Sequence, residues 1–227
     1  MSEVINKERN ISLSQRAYDE LRDKILNNEL RPGKYFLERD LAELLGISRT
    51  PLKEALVRLE NEGLINVQPR HGMQVKPLSA DAMEEIYQII TSLECEAVNI
   101  LAKKGLSAAE FELLAGTGIE MEAALEKDDL EAWAKADEDF HRLLLDFCGN
   151  LRLKQTVLNF WDLSHRARYF TLRLREKPVN STKDHQEVIE AIKAGDCEKA
   201  VLIHRLHRIR GGESLVKIIR HFRLENL

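Results

Sequence analysis

The stretch Leu41-Ala42-Glu43-Leu44-Leu45-Gly46-Ile47-Ser48-Arg49-Thr50-Pro51-Leu52-Lys53-Glu54-Ala55-Leu56 leaves this chain few ways to fold. The small side chain of Ala42 lets a second helix cross closely, and Gly46, four residues on, supports a tight turn. Ile47, Leu52 and Leu56 give the helix pair an apolar inner face. Ser48 suits an N-cap, and Pro51 falls in the first turn, where its missing N–H costs nothing. The pattern predicts a helix, a turn and a second helix. Upstream, residues Ser14 to Asn28 read as a helix with Ala17, Leu21 and Ile25 on one face, closing before the Arg31-Pro32-Gly33 turn. The next helix spans Glu38 to about Leu45. Downstream, Leu64-Ile65-Asn66-Val67 and Met73-Gln74-Val75 alternate as strands do. Gln68-Pro69-Arg70-His71-Gly72 joins them, so the hairpin forms a wing beside the helices.

What the third helix leaves outside suggests a partner. Ser48, Arg49, Thr50 and Lys53 cluster at its N-terminal end, where a recognition helix meets base edges and phosphates in a major groove. Arg49 is the best candidate for reading a base. Arg70 and His71 stand at the wing tip, suited to a phosphate backbone or a minor groove. The net charge of −4 does not steer the whole chain to nucleic acid. Residues 1–76, however, hold 13 basic side chains against 12 acidic ones, and the acidic excess lies beyond them. A local basic surface therefore has to carry any DNA binding.

Pro77 interrupts any element at Val75-Lys76-Pro77-Leu78-Ser79-Ala80-Asp81, and Ser79 can cap a following helix. The chain thus reads as mainly α: a winged helix-turn-helix over residues 1–76, a linker at 77–80, and an all-α helical bundle over 81–227. Long i, i+3, i+4 apolar patterns predict helices over Asp81–Lys104, Ser107–Leu125, Asp129–Cys148, Arg152–Arg175, Ser181–Ala194 and from Asp196 onward, with Ser107 and Ser181 as caps. Cys95, Cys148 and Cys197 are too few and too scattered for a disulfide framework or a CxxC metal motif. They are expected to be small buried hydrophobes. With no apolar run of membrane-spanning length and no signal-like start, a cytoplasmic protein without membrane contact is expected.

Six of the seven histidines fall after residue 140. Asp137 and His141, at i, i+4, project from one helix face and can grip one ion. Gly195-Asp196 turns one helix into the next, and reflecting position 185 about 196 gives 207, so His185 and His207 should meet at one level of that hairpin. Asp137, His141, His185 and His207 then form a set of one oxygen and three nitrogens suited to a divalent metal ion: Zn, Ni, Mn or Fe. His204 is a weaker second candidate; His165 and His221 have no such support.

Residues 14–76 resemble the winged-helix domain of GntR-type bacterial transcription regulators. The likeness is carried by Leu30-Arg31-Pro32-Gly33, Glu38-Arg39-Asp40-Leu41-Ala42, Ile47 to Leu56, and Leu59-Glu60-Asn61-Glu62-Gly63-Leu64. It implies operator contacts by Arg39, Ser48, Arg49, Thr50, Lys53, His71 and Gly72. Lys53 stands where relatives usually carry Arg, which suits a phosphate contact better than bidentate guanine reading. Residues 81–215 resemble the helical effector-binding (FCD) domain of the FadR/VanR branch, through Asp137, Phe140-His141, Gly149-Asn150, Asp184-His185, Gly195-Asp196 and His207. That resemblance implies the same four ligands, with a small carboxylate effector completing the coordination. Ile90 replaces an Arg that many relatives carry four residues before the glutamate matching Glu94. Arg166 and Arg168 are candidate replacements, flanking the stripe Leu153, Val157, Phe160, Ala167, Phe170, Leu174.

These readings converge on a homodimeric regulator binding a short inverted repeat, since closed dimers impose their symmetry on the site. Repression relieved by effector is the sign that the resemblance implies. Two alternatives are a regulator whose metal is purely structural and a metal-dependent enzyme tethered to DNA. No general base is placed to serve the latter.

Overall fold

Ala17, Leu21 and Ile25 are buried, and they carry α1 (Leu13–Leu26) against α3 (Arg49–Asn61), where Leu52, Ala55, Leu56 and Leu59 complete the core. The computed structural model describes residues 12–69, 71–77 and 79–224, and the chain divides at Pro77 into two compact units. In the first, Ser12 caps α1 by accepting from the Gln15 N–H. The helix closes two residues earlier than expected, because Asn28 takes a left-handed conformation (φ 62°). Helix α2 (Glu38–Leu45) ends on Gly46 at φ 62°, the turn conformation in which glycine has no Cβ penalty. Ser48 occupies the N-cap position of α3, but its side chain makes no capping hydrogen bond.

The wing is β2 (Ile65–Gln68) paired antiparallel with β3 (Gly72–Val75), Gln68 opposite Gly72. A strand not expected from the sequence, β1 (Tyr35–Phe36), takes the other edge of β3. Two residues are too short to show a period. Their crossing explains Gly72, whose φ is 84° and where a Cβ would lie 2.1 Å from the Phe36 carbonyl oxygen. Arg70, expected at the wing tip, lies outside the described residues.

The second unit contains α4 (Ala80–Lys104), α5 (Ala108–Glu126), α6 (Leu130–Phe147), α7 (Leu151–Thr171), α8 (Val179–Lys193) and α9 (Cys197–Phe222). Ser79, Asp129, Asn150 and Asp196 cap their helices, and Ser107 with Glu110 forms a capping box. Ser181 does not cap: α8 starts two residues earlier with Pro178 at the N-cap, which leaves the Ser181 hydroxyl free to turn inward. Helix α7 also stops short of Arg175, passing into a 3-10 turn at Leu172–Leu174. There the Thr171 hydroxyl donates to the Ala167 carbonyl, and Arg175 donates to Thr171 Oγ1 and to the Arg168 carbonyl.

Helix α4 runs through the bundle against α9 and α7. One apolar cluster gathers Met83, Ile90, Val157, Trp161, Leu215 and Ile219; a second gathers Leu101, Leu114, Met121, Phe140, Leu144, Val188 and Ile192. Each such side chain, fully buried, contributes about 1.5–3 kcal/mol. The expected α7 stripe is only partly internal: Leu153, Val157 and Ala167 are buried, whereas Phe170 and Leu174 are exposed, because Trp161 and Ser164 take the inner face as the helix ends. Cys95 and Cys148 are buried, Cys197 is half-buried, and none is in a disulfide. Among the described residues no helix is long and apolar enough to cross a membrane.

Candidate metal centre and nucleic-acid surface

Helices α6, α8 and α9 bring Asp137, His141, His185 and His207 together, with one ligating atom from each lying within 4.8 Å of the others. His185 Nε2 and His207 Nε2 are 3.1 Å apart, so the reflection about the α8–α9 turn lands the two rings at one level. Asp137 Oδ1 lies 3.6 Å from His185 Nε2 and 3.9 Å from His141 Nε2. An ion bound at about 2.1 Å holds tetrahedral or octahedral ligands about 3.0–3.4 Å apart, so the donors fit a transition-metal ion without large movement.

The outer nitrogens of His185 and His207 have hydrogen-bond partners, which aims their Nε2 inward, while that of His141 lies against Glu94 without a hydrogen bond. His141 Nδ1 faces Glu94 Oε2 at 3.0 Å, and His185 Nδ1 meets Met121 Sδ at 3.2 Å. His207 Nδ1 contacts the Ser181 hydroxyl at 3.3 Å and approaches Asp184 Oδ2 at 3.6 Å. Phe140 lies edge-on to His141 and tilts against His185 at 4.2 Å between centroids, covering the rings on their apolar side.

Burial sets the charge states. It holds the imidazoles of His141 and His185 well below the ordinary histidine value and takes His207 down to about 4, against the pull of Asp184. All three rings are therefore neutral at pH 7, the form that offers a lone pair to a cation. Burial pushes Asp137 up to about 6, opposed by Arg168, Arg208 and Arg175.

A second layer, of which the sequence named only Glu94 and the weaker candidate His204, surrounds Glu94 on α4. Burial opposes its charge, yet Arg208 and His141 hold it well below the usual carboxylate range. Trp161 Nε1 donates to Glu94 Oε1 at 2.8 Å, while His204 Nε2 lies 3.0 Å and Arg208 Nε 3.4 Å from Oε2. His204 thus joins Glu94 and His141 in a neighbouring triad. Arg208 Nη1 is 3.5 Å from His141 Nε2, the nitrogen that faces the ion site. The available signal for Glu94 was its match to a glutamate of the family that the chain resembles. Arg208 and Arg175 carried none, since solvated arginines on helices are common.

Both candidate replacements lie on α7. Arg168 stacks on Trp161 at 4.2 Å and acts on Asp137; Arg166, two residues earlier on the same helix, is buried. Ile90 is wholly buried in the first apolar cluster.

In the first unit Arg39, Ser48, Arg49, Thr50, Lys53 and His71 are all exposed, and Gly72 is buried beneath the wing. Lys53 Nζ lies 3.9 Å from Glu38 and Arg39 Nε 3.2 Å from Asp40, exposed pairs that exchange readily for phosphate. Arg58, on the opposite side of α3, stacks on Tyr18 at 3.8 Å instead.

A winged helix-turn-helix with exposed basic residues, followed by an all-α bundle, is the architecture of a transcription regulator. Residues 13–75 match the family described as bacterial regulatory proteins, gntR family, and residues 85–210 match the FCD domain. The chain belongs to the GntR family of transcriptional regulators, in its FCD-containing branch. It is 31% identical over 84% of its length, and 86% of the relative's, to the uncharacterized HTH-type transcriptional regulator YdhC of Bacillus subtilis (strain 168). It is also 25% identical over 94% of its length, and 92% of the relative's, to the HTH-type transcriptional repressor RspR of Escherichia coli (strain K12). The solved structure of E. coli McbR/YncC shares the fold, at TM-score 0.74 and 22% identity over 91% of this chain and 98% of that one. These relatives are regulators, a class without enzymatic activity, which sets aside the tethered metalloenzyme.

Proposed function

We propose that this chain is a homodimeric, cytoplasmic repressor whose helical domain holds a divalent metal and whose operator affinity falls when a small carboxylate binds beside that metal. Residues 1–76 contact a short inverted repeat, 77–80 link, and 81–227 sense the effector and dimerise. Arg49 and Thr50 at the start of α3 read base edges; Arg39, Ser48, Lys53 and the wing at Arg70, His71 and Gly72 grip the backbone. Asp137, His141, His185 and His207 would hold the ion, a Lewis acid able to take a carboxylate oxygen as a further ligand. The observation that carries this reading is the inward convergence of three neutral imidazoles and one carboxylate, with the His185 and His207 rings held through their other nitrogens by Met121 and Ser181. The name of the relative RspR supports the repressor sign.

The effector has to bind one arrangement of the dimer more tightly than the other to alter DNA affinity. Elemental analysis of untagged protein purified without chelator should find near-stoichiometric metal, lost in Asp137→Ala and His207→Ala. Gel-shift titration with metal-loaded protein should show salt-sensitive binding to the promoter region, weakened by the effector. Metal-free wild type would sink the centre. DNA affinity that responds to metal removal through stability alone, and to no carboxylate, would leave the metal a structural role.

A further inference from the structure

We infer, on the strength of the DNA-binding reading above, that Tyr35 is a further DNA contact, its ring packing on a deoxyribose beside His71 and its hydroxyl donating to the adjacent phosphate. Tyr35 and Phe36 make up β1, and successive strand residues point to opposite faces of a sheet. Phe36 is half-buried, with its carbonyl oxygen against Gly72. Tyr35 faces the other way and is 50% exposed. Its ring lies 6.1 Å from that of His71, tilted by 57°, a spacing at which aromatic rings attract. Among the described residues its hydroxyl has no hydrogen-bond partner; the amide of Gln74, its cross-strand neighbour, donates to the Gly33 carbonyl instead.

The backbone holds this ring in place. The Gly33 N–H donates to the Val75 carbonyl at 2.9 Å and the Gln74 side chain to the Gly33 carbonyl at 2.8 Å, so the segment entering β1 is tied to β3. On its other side the chain passes through Leu37, at the N-cap of α2, to Glu38, which lies 3.9 Å from Lys53 of α3. Tyr35 therefore sits between a wing-tip residue and the recognition helix. A sugar–phosphate strand passes there when the helix enters a major groove and the wing reaches the neighbouring minor groove. Lys34 and Arg39, exposed on the same stretch of chain, supply the positive field that draws a phosphate to it. Tyrosine suits the place, since its apolar ring covers a sugar while its O–H serves as a neutral donor. A backbone contact positions the protein without reading bases, so the loss of Tyr35 should weaken specific and random DNA alike.

The test is fluorescence anisotropy titration of full-length protein with two duplexes, one enriched by the wild type from a random library and one scrambled, over a range of salt concentrations. Tyr35→Ala should weaken binding to both about tenfold, and Tyr35→Phe, which keeps the ring, about threefold. The slope of log affinity against log salt should be unchanged in both variants, because no cation is lost, whereas Lys53→Ala should flatten it by about one unit. Tyr35→Ala combined with His71→Ala should cost less than the product of the two single effects, since the rings support each other. Undiminished affinity in Tyr35→Ala and Tyr35→Phe, or a strictly multiplicative double variant, would overturn the contact. So would a loss in Tyr35→Ala that accompanies a lower melting temperature and is fully restored in Tyr35→Phe, which would make the ring a structural prop. A wild type that enriches no duplex overturns the DNA-binding reading and this contact with it, whereas tight wild-type binding that ignores Tyr35 rejects the contact alone.

Discussion

The winged unit and the helical unit contrast in how far apart in sequence their working residues lie. In the first, the exposed set at Arg39, Ser48, Arg49, Thr50 and Lys53 falls within one helix-turn-helix, and short-range rules place it. In the second, His204 and its partner Glu94 are 110 residues apart, and the centre draws on α4, α6, α8 and α9. A surface meant for DNA needs exposed donors on a rigid helix, which a local motif can specify. A buried polar centre needs every atom answered by some other element, and that makes it collective. Mutations should therefore act independently in the first unit and through neighbours in the second.

The strongest way to break this comparison is Glu94→Ala, which strips Arg208, His204 and Trp161 of their shared acceptor. Removing one partner of a buried charged network costs about 3–5 kcal/mol, read as a lower denaturation midpoint in chelator-treated protein. A cost under about 1 kcal/mol would show the network to be dispensable. Next comes Gly72→Ala, where a left-handed backbone meets the Phe36 carbonyl; about 2–3 kcal/mol should be lost from the winged unit. Its signature is a destabilised first unit with metal content unchanged, and a simultaneous loss of metal would contradict the separation.

Arg49→Ala should sharpen the contrast from the other side. Operator affinity should fall by about 1–3 kcal/mol with no change in melting temperature, as measured by gel shift and calorimetry on the same preparation. The smallest expected effect compares two serines. Ser107→Ala removes a capping box and should cost about 1 kcal/mol. Ser181→Ala should leave α8 stability unmoved and weaken metal binding instead, because its hydroxyl meets His207 Nδ1. Equal melting losses in the two variants would restore Ser181 to the capping role that its position in the sequence suggests.

Much of the helical centre was legible for a simple reason. The i, i+4 pair Asp137 and His141 and the mirror pair His185 and His207 follow from helix pitch and one turn, both readable without a fold. The end of α7 was not legible, because Thr171 and Arg175 close it through side-chain hydrogen bonds to the Ala167 and Arg168 carbonyls that no apolar period records. Nor was β1, whose two residues form a strand only because β3 offers a free edge.

By itself the sequence determined the winged helix-turn-helix, the helical bundle and the four candidate ligands, since periodicity, caps and turn residues act over a few positions. Only the tertiary structure decided that Glu94 backs His141, that Ser181 turns to His207, and that Arg168, Arg175 and Arg208 all act on Asp137. The physical reason is that a buried donor or charge is stabilised by whatever neighbours reach it in a low-dielectric interior, and which helix supplies them is settled by packing and not by spacing along the chain.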